Sequence, residues 1–324
     1  MTTDIGVANR STGERGEEAL LALAQGAILG EGLQWHEASQ RWWWTDIQAA
    51  TLHAWTPGSA QVLTARLPDR LGSFAHCRSG RLLLGLAKRL VMASLPDLQA
   101  SGSVTPGIQS LVPVDPAEPR TRINDGRTDR RGFFVFGTMN ETAAERRPIG
   151  SFYQYSRQYG LRRLALPAVA IANSICFSPD GRRMYFCDTL TQRIMQCSYD
   201  AETAQVADLR VFVQLDDPKA WPDGSVIDAD GCLWNAQWGA GQVLQYSPEG
   251  ERMRTVAMAA SQVTCPAFGG DQMGTLMVSS ARENLSREHL EQEPLAGSLF
   301  ACQVPGLRGL ADCLFDDLDE STAP

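Results

Sequence analysis

Four short segments bring side chains able to do chemistry into polar company: Gly30-Glu31-Gly32, Arg122-Ile123-Asn124-Asp125-Gly126, Ala172-Asn173-Ser174 and Trp221-Pro222-Asp223-Gly224. One Glu, one Asp and neutral amide oxygens form a hard, oxygen-rich donor set that suits Ca2+, Mg2+ or Mn2+. No His accompanies them, so Zn2+ or Fe2+ is the less natural occupant. Taken singly, each segment is a turn former, because Asn-Asp-Gly and Pro-Asp-Gly accept tight backbone bends. Their coincidence says more. Three of them stand at equivalent places, just upstream of an inner-strand signal, in different repeats of the chain. Other chemistries lack their signatures: there is no Gly-x-Ser-x-Gly, no phosphate-binding Gly-rich loop and no dinucleotide fingerprint. The four histidines, His36, His53, His76 and His289, have no zinc spacing.

The elements that must position these residues are strands. Helical periodicity is nearly absent, and the one expected helix, Arg282 to Gln292, is polar and reads as a loop insertion within 282–296. A unit of turn, strand, polar connection and second strand recurs. It is seen at Arg41 to Ile47, Arg81 to Leu86, Phe133 to Met139, Arg182 to Asp188, Cys232 to Gln237 and Thr275 to Ser279. The copies start about 40–50 residues apart, the period of propeller blades. Single antiparallel sheets of this size would leave edges open, and closing six around an axis removes the problem. The expected fold is therefore an all-β, six-bladed β-propeller with four-stranded antiparallel blades, spanning 25–318. Residues 1–24 form a lead-in, disordered in part or pairing with a blade, and 319–324 a tail. A β-sandwich would place turns every 8–12 residues or so without this longer period. Asp228-Ala229-Asp230-Gly231 resembles the start of a calcium loop but lacks its later ligands, so it reads as a hairpin turn. Trp42-Trp43-Trp44 alternates faces of a strand, which puts at least one ring in the core.

Composition narrows the partners. A net charge of −8 with scattered Lys and Arg disfavours nucleic acid. No apolar run approaches the length of a membrane span, and Met1 to Glu18 lacks the apolar stretch of a secretory signal. Eight cysteines without a paired spacing, several inside apolar runs, suit a reducing cytoplasm.

From Leu29 to Phe315 the chain resembles the regucalcin/gluconolactonase family, which includes luciferin-regenerating enzymes. The landmarks are Gly30-Glu31-Gly32-Leu33-Gln34-Trp35, Arg122-Ile123-Asn124-Asp125-Gly126, Gly137-Thr138-Met139, Asn173-Ser174-Ile175, Asp180-Gly181, Pro222-Asp223-Gly224 and Phe268-Gly269-Gly270. The resemblance implies a six-bladed propeller with one divalent cation in its channel, and hydrolysis of a small sugar lactone (an aldono- or aldarolactone). It implies Glu31, Asn173 and Asp223 as metal ligands, with Ca2+ foremost and Zn2+, Mn2+, Mg2+ or Fe2+ as alternatives. Asp223 would also act as general base or proton relay. Arg122, Asn124 and Glu141 would bind substrate, although the segment is shortened there and Asn140 competes for the place of Glu141. Ser174 stands where the family commonly has Gly. A related metal-dependent esterase, or a non-catalytic propeller that binds a divalent metal or small ligand, are the alternatives.

Overall fold

The computed structural model describes residues 17–94, 103–104, 107–142 and 146–318. The first sixteen residues of the lead-in and the tail from 319 lie outside the described residues.

Six antiparallel sheets follow one another along the chain and form a six-bladed propeller. Their innermost strands are Gly30–His36, Leu71–His76, Thr121–Thr128, Ala172–Phe177, Trp221–Ile227 and Val263–Gly269, numbered here as blades one to six. The recurring strands legible in the sequence are the second strands of their blades, one step out from the axis. Blades two to five draw their four antiparallel strands from consecutive sequence, as does blade one from Gly30 to Arg66. Blade six takes its outermost strand, Leu20–Leu23, from the other end of the chain, with Leu20 paired to Ala301 and Leu21 to Phe300. Short parallel additions, Ser103–Val104 on blade one and Glu17–Glu18 on blade five, cover two outer edges.

The core lies between blades. Each blade presents alternate residues to its two neighbours, so the apolar side chains gather into six wedges, one at each seam. The Trp42-Trp43-Trp44 run shows how. Trp42 and Trp44 point into the wedge against blade six, whereas Trp43 points into the wedge against blade two, and all three are buried. Large rings fill such wedges because adjacent blades diverge outward from the axis. Near the axis the blades nearly touch: a Cβ on Gly72 would meet the Ile123 carbonyl oxygen at 2.3 Å.

Two expectations change. The helix is shorter than expected, Arg287–Gln292, because Asn284 takes a left-handed φ of 59° and Ser286 starts the helix by accepting from the His289 amide. More consequential, Glu31, Asn124, Asn173 and Asp223 do not precede the innermost strands but lie within them. The turn-forming residues around them are β-bulges. Every innermost strand slips register against its neighbour at this level, between Glu31 and Gln34, Leu71 and Ser73, Ile123 and Gly126, Asn173 and Cys176, Pro222 and Ser225, and Val263 and Pro266. A bulge interrupts the in-out alternation and re-aims a side chain, here toward the axis. All eight cysteines are free thiols and seven are buried. Among the described residues no helix is long and apolar enough to cross a membrane.

Candidate active site at the channel mouth

The bulges of blades one, three, four and five sit near the N-terminal ends of their innermost strands, and residues from them floor a cavity of about 580 Å3 at one end of the central channel. Glu31, Arg122, Asn124, Glu141, Asn173 and Asp223 all line it. Asn140 does not. It is buried in the third blade, its Nδ2 donating to the Arg147 carbonyl at 3.2 Å and its Oδ1 accepting from the Thr142 amide at 2.9 Å.

Two of the chain entries to the floor are pinned by carboxylates. Asp46, at the end of the second strand of blade one, accepts from the Ile28 and Leu29 amides at 2.8 and 3.2 Å, which fixes the approach to Glu31. Asp188 does the same in blade four, accepting from the Ala170 and Ile171 amides ahead of Asn173. Asn173 Nδ2 donates to Thr189 Oγ1, which donates to the Pro222 carbonyl, both at 2.9 Å. Asn124 Nδ2 reaches across to Asn173 Oδ1 at 3.0 Å, and its own Oδ1 accepts from Arg122 Nη1 at 2.7 Å. An unbroken polar chain therefore runs from Arg122 through Asn124 and Asn173 to the blade carrying Asp223.

Glu31 and Asp223 are the exceptional pair. Their carboxyls are within hydrogen-bonding reach of one another. Burial raises both above the ordinary carboxylate range, and charge repulsion adds to it, chiefly from Asp125 on Glu31 and from Glu31 on Asp223. Asp125 is itself raised by burial while accepting from the Ile175 amide at 2.8 Å. Burial lowers Arg122 to about 10, which leaves it a cation near neutral pH.

The donor chemistry fits a divalent cation. Two buried carboxyls facing each other, with a neighbouring third carboxylate, form a site whose repulsion a cation relieves, and Asn173 lines the same cavity. Among the described residues no group of three or more His, Cys, Asp and Glu side chains is arranged to hold a metal, so the set is one of mixed carboxylate and amide oxygens.

Arg70, Gln48 and Glu283 escape sequence reasoning because loops supply them. Arg70 forms a bidentate pair with Glu141, whose Oε1 also lies 3.4 Å from Arg122 Nε. Glu283, in the turn ahead of the short helix, is held by Gln48 from blade one. Trp221 and Trp238 form an apolar side of the cavity. Trp221 had a signal, since a tryptophan beside Pro222-Asp223 in an innermost strand must face either a seam or the channel.

Fold and site together define a propeller with an acidic, amide-lined channel mouth. The chain belongs to the family described as SMP-30/Gluconolactonase/LRE-like, whose pattern matches residues 29–282. It is 42% identical over 89% of its length to a protein named L-arabinolactonase from Azospirillum brasilense, of which 92% is covered. It is 32% identical over 90% of its length to 6-deoxy-6-sulfogluconolactonase from Pseudomonas putida, of which 96% is covered. Among solved structures, a calcium-binding protein, regucalcin, from Agrobacterium tumefaciens superposes with a TM-score of 0.82 at 31% identity, covering 93% of this chain and 98% of that one.

Proposed function

We propose that the protein hydrolyses a sugar lactone, of the aldono- or aldarolactone type, to the open-chain sugar acid, as a hydrolase acting on a carboxylic ester bond. The observation that carries the reading is the meeting of Glu31 and Asp223 with Asn173, Asn124 and Arg122 on the floor of one cavity. The names of two relatives, each a lactonase, support it.

A lactone is an activated ester, so its opening needs no covalent nucleophile. Glu31, Asn173 and Asp223 would hold one divalent cation, with Ca2+ favoured by the oxygen donors. When bound, the cation supplies Lewis-acid polarisation of the ester carbonyl and of water. Asp223, ionised once a cation offsets the repulsion from Glu31, would take a proton from the attacking water. The water oxygen bonds to the carbonyl carbon, the ring C–O bond breaks, and the proton passes to the departing ring oxygen. The acid product ionises and releases one proton to solution. Arg122, steadied by Asn124 and Glu141, directs its guanidinium to sugar hydroxyls. The Trp221 and Trp238 rings offer apolar faces to the C–H side of the sugar. The free, mostly buried thiols support a reducing, cytoplasmic setting.

A pH-indicator assay over pentono-, hexono- and hexarolactones tests the reading. Turnover should fall on chelation and return with Ca2+, Mg2+, Mn2+, Zn2+ or Fe2+. Lactone turnover that survives both thorough chelation and Asp223→Ala would remove the mechanism. Divalent-ion binding with no turnover of any lactone would leave a metal-binding propeller instead.

A further inference from the structure

The bulges of blades one and four are built alike but from different residues. After Glu31 the chain turns at Gly32 with φ 59°, a left-handed conformation that glycine takes at little steric cost. After Asn173 it turns at Ser174 with φ 60°, where a side chain is strained. Ser174 is fully buried, so solvent gives no reason for the hydroxyl. The hydroxyl is instead spent across the seam. Ser174 Oγ donates to the Asp223 carbonyl oxygen at 2.6 Å, and it accepts from Ser225 Oγ at 3.0 Å and Asn235 Nδ2 at 3.2 Å. Asn235 Nδ2 also lies 3.3 Å from the Asp223 and Gly224 carbonyls. Ser225 and Asn235 are buried too.

On the other flank of Asn173, Thr189 holds the Pro222 carbonyl. Two consecutive carbonyls, those of Pro222 and Asp223, are thus gripped by blade-four hydroxyls on either side of the Asn173 position. From this we infer that Ser174 is a positioning residue: it carries a left-handed backbone so that its hydroxyl fixes the main chain of Asp223 relative to Asn173. The separation of those two side chains is then set by one buried seam. The inference rests on the proposed role of Asn173 and Asp223 in holding a cation and acting on a lactone.

Two substitutions separate the hydroxyl from the strain. Ser174→Gly removes the hydroxyl and relieves the backbone, whereas Ser174→Ala removes the hydroxyl and keeps the strain. Calorimetric titration with Ca2+ or Mn2+ alone should show affinity weakened about tenfold or more in both, the usual scale for groups that orient metal-binding side chains. Lactone kcat should fall by a similar factor, with KM changed less. The metal-free Ser174→Gly protein should melt at or above the temperature of Ser174→Ala. Ser225→Ala, which removes only the hydroxyl behind Ser174, should move affinity in the same direction by a smaller factor and covers the case in which a Ser174 variant fails to fold. Unchanged ion affinity and kcat in Ser174→Gly would overturn the inference alone, as would losses confined to Ser174→Ala. Absence of both ion binding and turnover in the unmodified protein would overturn the activity reading and the inference with it.

Discussion

The two ends of the channel are made by the same six strands, yet they use carboxylates in opposite ways. At the far end, where the innermost strands finish, every prominent acid is spent on structure. Asp129 accepts from the Arg131 and Phe133 amides and from the Tyr199 hydroxyl. Asp228 accepts from the Asp230 and Cys232 amides, Trp234 Nε1 and Gln245 Nε2, which makes the Asp228-x-Asp230-Gly231 segment a hairpin turn. The segment around 311–317 lies across this end, with Phe315 bridged to Cys77, Asp312 paired to Arg127 and Asp317 to Arg81. At the mouth, Glu31 accepts from the adjacent Gly32 amide at 3.2 Å and otherwise faces Asp223. Hydrogen bonds from backbone amides fix a carboxylate and fill its lone pairs. A carboxyl denied them stays available for a cation, a proton or a substrate, and the fold bears the repulsion.

The largest effect expected from this contrast is at Asp223. Asp223→Asn should cut lactone turnover by about a thousandfold or more, because the amide can neither carry a proton nor balance a cation. Its melting temperature in the metal-free state should hold or rise, since a buried repulsion is removed. Asp228→Asn should do the reverse. It should cost about 1–3 kcal/mol of stability through unsatisfied donors, read from chemical denaturation, while turnover per folded molecule is kept. Loss of turnover in Asp228→Asn without loss of stability would break the comparison. Arg122→Lys comes next, at about ten- to a hundredfold in kcat/KM, because a lysine cannot hold Asn124 and present a planar fork together.

The smallest effect is a pH signature in which the buried histidines and the mouth carboxyls act with opposite signs. Burial lowers His76 to about 3 and His53 to about 4, and the folded state therefore binds fewer protons than the unfolded chain. Their contribution to stability is full above the ordinary histidine range near 6.5 and is lost as pH falls from there toward those lowered values. His76→Phe keeps a ring against His36 and cannot charge, so its melting temperature should fall less steeply on acidification. The raised carboxyls of the mouth act the other way. In metal-free protein the folded state binds more protons, and stability declines as pH rises above the ordinary carboxylate range. Melting-temperature gains from added Ca2+ should accordingly be larger at pH 8 than at pH 5.

The sequence carried the blade count because the repeat has a long period, and its second strands, bounded by Asp-Gly turns such as Asp180-Gly181 and Asp230-Gly231, are locally encoded. It also marked the polar residues that converge on the channel. What it hid was their exact setting. A bulge and a turn draw on the same residues, so Pro222-Asp223-Gly224 and Asn124-Asp125-Gly126 look like chain reversals until the register of the neighbouring strand is known. The rim was less legible still. Arg70, Gln48 and Glu283 come from connections between strands, where no periodicity constrains which side chain faces the cavity.

The pairing of Leu20–Leu23 with Leu299–Gln303 has a kinetic consequence. Five blades take all four of their main strands from local stretches of chain, and each such sheet can form soon after its residues leave the ribosome. The sixth cannot, because its outermost strand must await a partner from the far end of the sequence, and closure of that longest loop carries the greatest entropic delay. Until then the wedge between blades six and one, with Trp42, Trp44 and Met277, lacks the outer packing that Ala22 and Leu23 supply. The ring is therefore completed in a late event at the seam that flanks the blade carrying Glu31.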